Sequence, residues 1–72
     1  MQVVDIQLKK VTFNRGSSPH PSILIFIDDT WERFHDGVGV ELSEAEVAQI
    51  PNSYFENGLL SVDEVTRTVI SK

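Results

Sequence analysis

The stretch Val38-Gly39-Val40-Glu41-Leu42-Ser43-Glu44-Ala45-Glu46-Val47 passes from a strand pattern to a helix start within a few residues. Val38, Val40 and Leu42 alternate with Gly39 and Glu41, the period-two pattern of a half-buried strand. Ser43 and Glu46 then stand at S-x-x-E spacing, a capping box in which each side chain satisfies an orphan backbone donor of the first turn. Leu42 before the cap and Val47 inside it are placed as a hydrophobic staple, which fixes the angle between strand and helix. A corner of this kind predicts a packed α+β fold.

Downstream, Pro51 pushes Ile50 out of the helical region, so the helix is expected from Glu44 to about Gln49. Residues 52–56 read as a further short turn closed by Asn57-Gly58. Ser61-Val62-Asp63-Glu64 imitates a second capping box, with Val62, Val65 and Val69 at helical spacing. The β-branched residues Val62, Val65, Thr66, Thr68, Val69 and Ile70 argue for extended chain instead. A short strand at 59–62 and a strand or loose tail at 65–70 are expected.

Upstream, Asp36-Gly37 is a tight-turn dipeptide, and Trp31 to Phe34 forms a short strand with Trp31 and Phe34 on opposite faces. Asp28-Asp29-Thr30 reads as a turn. Residues 23–27 (ILIFI) are apolar on both faces, as in a central strand. Residues 14–22 form a loop, held extended by Pro19 and Pro21. Before it, Val4, Ile6 and Leu8 alternate with polar residues, and Val11 and Phe13 resume the pattern one residue out of step. A β-bulge at Lys9-Lys10 would return both sets to one face, and two lysines suit an edge strand. The expected architecture is α+β, mainly β: a small curved antiparallel sheet or open barrel with one short helix. Its expected core is Val4, Ile6, Leu8, Ile23, Ile25, Phe26, Ile27, Val38, Val40, Leu42, Val47, Ile50, Phe55, Leu60 and Val62.

Length and charge bound the function. Seventy-two residues suit a single domain spanning 1–72, whose core contributes only ~3–5 kcal/mol. With no cysteine, disulfides cannot supplement it, which raises the weight of oligomerisation or docking. The longest apolar run is strand-length, so no membrane span is expected, and the N-terminus lacks the pattern of a signal peptide; a cytoplasmic protein is expected. The net charge of −5 is uneven. Asp5 against Lys9, Lys10 and Arg15 gives +2 over residues 1–27. Ten carboxylates against Arg33 give −9 over residues 28–64, and Arg67 and Lys72 return +2. This balance opposes nucleic-acid phosphate and anionic lipid and favours a basic protein partner or self-association.

Catalytic constellations are not visible. His35 and Asp36 with Asp28 and Asp29 offer mixed nitrogen and oxygen ligands, yet both acidic sites are explained as turns and lack metal-site spacing. Ser17, Ser18 and His20 lie in a proline-rich loop with nothing to orient the imidazole. No phosphate loop or dinucleotide fingerprint occurs. No metal, no cofactor and no small-molecule substrate are expected, and the chain reads as non-enzymatic. The residues placed for partner contact are Lys9, Lys10, Arg15, His20, Asp28, Asp29, Trp31, Arg33 and Asp36. An exposed Trp31 would serve as an interface anchor; buried, it is simply a core ring.

Residues 31–50, followed by Tyr54-Phe55 and Leu59-Leu60-Ser61-Val62, run strand, turn, strand, brief helix and terminal strand. This outline resembles the short N-terminal domain of small phage and Mu-like prophage proteins and covers about half of the chain. The N-terminal strand and proline-rich loop depart from it. The resemblance implies a small non-enzymatic protein of a phage structural-gene cluster, with no catalytic residues to carry over. Two other readings follow from charge. An acidic stripe of Asp28, Asp29, Glu32, Asp36, Glu41 and Glu44 would mimic nucleic acid, and Lys9, Lys10, Arg15 and Phe13 would bind a single strand.

Overall fold

The corner at Ser43 forms as its sequence dictates. In the computed structural model, which describes residues 1–71, a strand Gly39–Leu42 leads into a helix Glu44–Val47. The Ser43 hydroxyl accepts from the Glu46 N–H at 3.2 Å, and the Ser43 N–H donates to the Glu46 carboxylate at 2.9 Å. Leu42 is buried in the core, and Val47 is partly buried and packs against that core. Val38 falls outside the strand and is exposed.

Among the described residues, five strands and two short helices run in the order β1 (Gln2–Phe13), β2 (Ser22–Ile27), β3 (Thr30–His35), β4 (Gly39–Leu42), α1 (Glu44–Val47), α2 (Asn52–Glu56) and β5 (Leu60–Ser71). A single 3₁₀ turn, Arg15–Ser17, opens the loop after β1. The strands form two antiparallel sheets, β4-β1-β5 and β2-β3. One curved sheet or barrel was the expectation; the connection between sheets is instead a narrow seam. Phe13 bridges Asp36, with the Gly37 N–H donating to the Phe13 carbonyl at 3.0 Å. Residues 52–56 form a second helix rather than a turn, and Gly58, at φ +74°, ends it.

Two expectations for the first strand are corrected. The β1–β5 register runs unbroken from Gln2↔Ser71 to Phe13↔Leu60, through Lys9↔Glu64 and Lys10↔Asp63, so no bulge exists. Lys9 and Lys10 lie on the central strand of their sheet, flanked by β4 and β5, not on an edge. With no bulge, the period-two rule sends Val4, Ile6 and Leu8 to the face opposite Val11 and Phe13. The C-terminal segment is one continuous strand, because each of its residues from Leu60 to Ser71 has a partner in β1.

The core is one cluster of Val11, Phe13, Ile25, Ile27, Phe34, Leu42, Ile50 and Leu60, with Ile23, Val40, Val47, Tyr54, Phe55 and Leu59 packed against it. The expected members Val4, Ile6, Phe26, Val38 and Val62 are exposed, and Leu8 is half-buried. No polar or charged side chain is buried among the described residues.

Candidate functional site

The outer face of the β2–β3 hairpin gathers the largest exposed aromatic surface. Its turn is Asp28-Asp29, with φ of 49° and 61°. Two successive left-handed residues make the tight hairpin turn whose twist matches the strands, and aspartate tolerates that region better than most residues. Gln49, just past α1, braces the tip: its side-chain carbonyl accepts from the Asp28 N–H at 3.0 Å, and its amide donates to the Asp28 carboxylate.

This turn sets the register Ile27↔Thr30, Phe26↔Trp31, Ile25↔Glu32, Leu24↔Arg33 and Ile23↔Phe34. Ile23, Ile25, Ile27 and Phe34 therefore face the core. Leu24, Phe26, Trp31, Arg33 and His35 face outward. β2 is thus half of a two-stranded sheet rather than a central strand, and its second apolar face stays uncovered. Leu24 is 47% exposed, Phe26 48% and Trp31 63%. The Phe26 and Trp31 rings meet edge-to-face, with centroids 5.1 Å apart and planes at 61°. That geometry is favoured by the ring quadrupoles and holds both rings in place. Arg33 is tethered by a hydrogen bond from Nη1 to the Ser22 hydroxyl at 2.9 Å. Of these residues, Trp31 and Arg33 are of the types that most often carry interface energetics.

The other anticipated contact residues divide between the two sheets. Asp28 and Asp29 stand at the tip beside Trp31. Arg15 and Asp36 meet at the opposite end of the hairpin, where the Asp36 carboxylate accepts from the Arg15 N–H at 3.0 Å and pairs with its side chain at 4.0 Å. They brace the seam between the sheets. His20 is exposed in the loop, its N–H donating to the Ser18 hydroxyl at 3.2 Å; the Ser17 side chain lies outside the described part. Lys9 pairs with Glu64 at 2.6 Å. That hydrogen bond is the main cause holding the Lys9 ammonium above its ordinary value and the Glu64 carboxyl below its own. Lys10 lies across Gly39 on the solvent face of the sheet.

The sequence alone does not mark Leu24 and Phe26 as surface residues. Apolar runs do not reveal which face is covered, but a two-residue turn at Asp28-Asp29 already places Phe26 opposite Trp31. Phe13 is fully buried and offers no ring for stacking a base. The six carboxylates of the mimic are spread over both ends of β3, its core-facing Glu32, the solvent face of β4 and the start of α1. Glu41 is in addition paired with Arg67. An open cleft of about 190 Å³ lies between Gln7, Leu8, Lys9, Glu44 and Glu64, below the roughly 300–1,000 Å³ of small-molecule sites. Among the described residues there is no group of three or more potential metal ligands, and no helix is long and apolar enough to cross a membrane. No family model, curated protein or solved structure matches the chain.

Proposed function

We propose that this protein is a non-catalytic interaction or assembly module that docks a protein partner on the outer face of β2–β3, with Trp31 as the anchor. The observation that carries the reading is the solvent-exposed Phe26–Trp31 pair, held rigid by strand pairing and by Gln49 at the turn. Rigid aromatic groups lose little entropy on binding and bury a large area. The resemblance to small phage proteins suits the same role in a structural assembly.

The partner's chemistry follows from the rim. Asp28 and Asp29 at the tip and a net charge of −5 favour an apolar pocket edged with basic groups, reached faster at low salt. The test is retention of a host protein on the immobilised chain, compared with Trp31→Ala and with Val62→Ala as an exposed control. Trp31→Ala is expected to weaken retention by about 30-fold or more, the ~2 kcal/mol of an anchor residue, while the control binds normally. Equal retention by all three would contradict the reading.

A further inference from the structure

The projecting half of the β1–β5 ribbon leaves one backbone edge open beside a charged cleft. Beyond Lys9↔Leu42, where β4 ends, residues 2–8 of β1 pair only with β5. The Asn14 N–H donates to the Leu59 carbonyl, while the Phe13 carbonyl accepts from Gly37 on the other side. Even-numbered residues of β1 therefore direct their backbone groups to β5, and Val3, Asp5 and Gln7 direct theirs to the open edge. An edge of this kind is a template for another strand.

The two faces along this edge differ in chemistry. The unbroken register puts Val4, Ile6 and Leu8 with Val65, Arg67 and Val69 on one face, and Val4 and Ile6 are 40% and 42% exposed. Asp5 and Gln7 lie on the other, accepting from the Thr68 hydroxyl at 2.8 Å and the Thr66 hydroxyl at 3.2 Å. Lys9 and Glu64 continue that polar face to the point where β4 leaves β1. There the cleft between Gln7, Leu8, Lys9, Glu44 and Glu64 opens, with two carboxylates against the single ammonium of Lys9.

We propose that this edge takes the N-terminal arm of a basic partner protein as an added antiparallel strand, its first residue opposite Gln7. An arm antiparallel to β1 runs in the direction of β4, so its beginning lies at the cleft. Leu42 already holds the edge at Lys9, and a chain that starts opposite Gln7 needs no turn to avoid it. Its amino group then stands beside Glu44 and Glu64. A parallel arm would end there instead and set a terminal carboxylate against the same two groups. Directly opposed residues of an antiparallel pair share a face. The first and third residues of the arm therefore join the polar face, opposite Gln7 and Asp5, where lysine or arginine is favoured by Glu44, Glu64 and Asp5. The second and fourth lie opposite Ile6 and Val4 and extend the apolar stripe. The recognised pattern is thus basic, apolar, basic, apolar from the amino terminus. Main-chain bonds supply the affinity of such an added strand, and the alternating side chains supply its specificity. The net charge of −5 draws the same partner from a distance.

The probe is a synthetic peptide of alternating lysine and valine with a free amino terminus, titrated into the full chain. Amide exchange followed by NMR should slow at Asp5 and Gln7 toward the rates of their neighbours in β1. Glu44→Lys, outside the capping box, puts a like charge at the start of the arm and should weaken binding by about tenfold or more. Asp5→Lys, on the projecting ribbon, should act in the same direction. Trp31→Ala should bind the peptide as the native chain does, which separates this edge from the hairpin face. A peptide of the same composition with its lysines and valines in separate blocks should bind more weakly, and so should the alternating peptide once its amino group is acetylated. Equal affinity of either control peptide overturns the proposal. So does the absence of binding, unchanged exchange at Asp5 and Gln7 under saturation, or loss of the peptide in Trp31→Ala.

Discussion

Ser43 and Glu46 decide where the sheet stops and the helix begins. Their two reciprocal bonds, at 3.2 and 2.9 Å, hold a helix of a single turn that could not persist alone. Ser43→Ala should cost about 1 kcal/mol in denaturant unfolding, and Leu42→Ala, which empties a buried site under the same corner, about 2–5 kcal/mol. Lys9 and Glu64 give the surface a pH signature. Glu64 is held below its ordinary 4.5, so its stabilising effect is present above that value and is lost as pH falls through the lower folded value. Lys9 is held above 10.5, and its effect is lost only as pH rises beyond it. Glu64→Gln should therefore melt lower than the native chain at neutral pH, with the gap closing in acid and shrinking in high salt.

Hairpin, corner and ribbon were legible to different degrees, and the reason is the distance over which each is specified. The capping box and the Asp28-Asp29 and Asp36-Gly37 turns are local, and their residues announce them. The ribbon is specified by pairing between residues at opposite ends of the chain, such as Val4↔Val69, which no short window contains. The out-of-step apolar sets around Lys9-Lys10 implied a bulge only on the premise that both sets share one core. They face opposite sides. Phe26 is placed inside by a separate step, the reading of residues 23–27 as a central strand covered on both faces, whereas β2 pairs with β3 alone. Two measurements test these elements. Asp29→Gly relieves a left-handed residue in the turn and should raise stability by about 0.5–1 kcal/mol. In dilute solution the amides of Val4, Ile6 and Leu8 should exchange more slowly than those of Asp5 and Gln7, and equal rates would contradict the deduced orientation of β1.

At the scale of the whole molecule, a small core leaves two apolar surfaces outside it: the hairpin face around Trp31 and the projecting ribbon. The ribbon accounts for much of the elongation, 47 × 23 × 19 Å. Both surfaces belong to a chain whose buried residues are all apolar among those described, so its polar groups are spent on turns, seams and rims. On the proposed function, Trp31, at 63% exposed, serves association rather than folding. Its neighbour in β3, Phe34, is fully buried and supplies the contrast. The most direct measurement is equilibrium unfolding of Trp31→Ala and Phe34→Ala alongside retention of the partner. Phe34→Ala should lose about 3–5 kcal/mol, while Trp31→Ala should stay within about 1 kcal/mol of the native chain and lose the partner. A Trp31→Ala chain as destabilised as Phe34→Ala, or one that keeps full retention, would contradict the account.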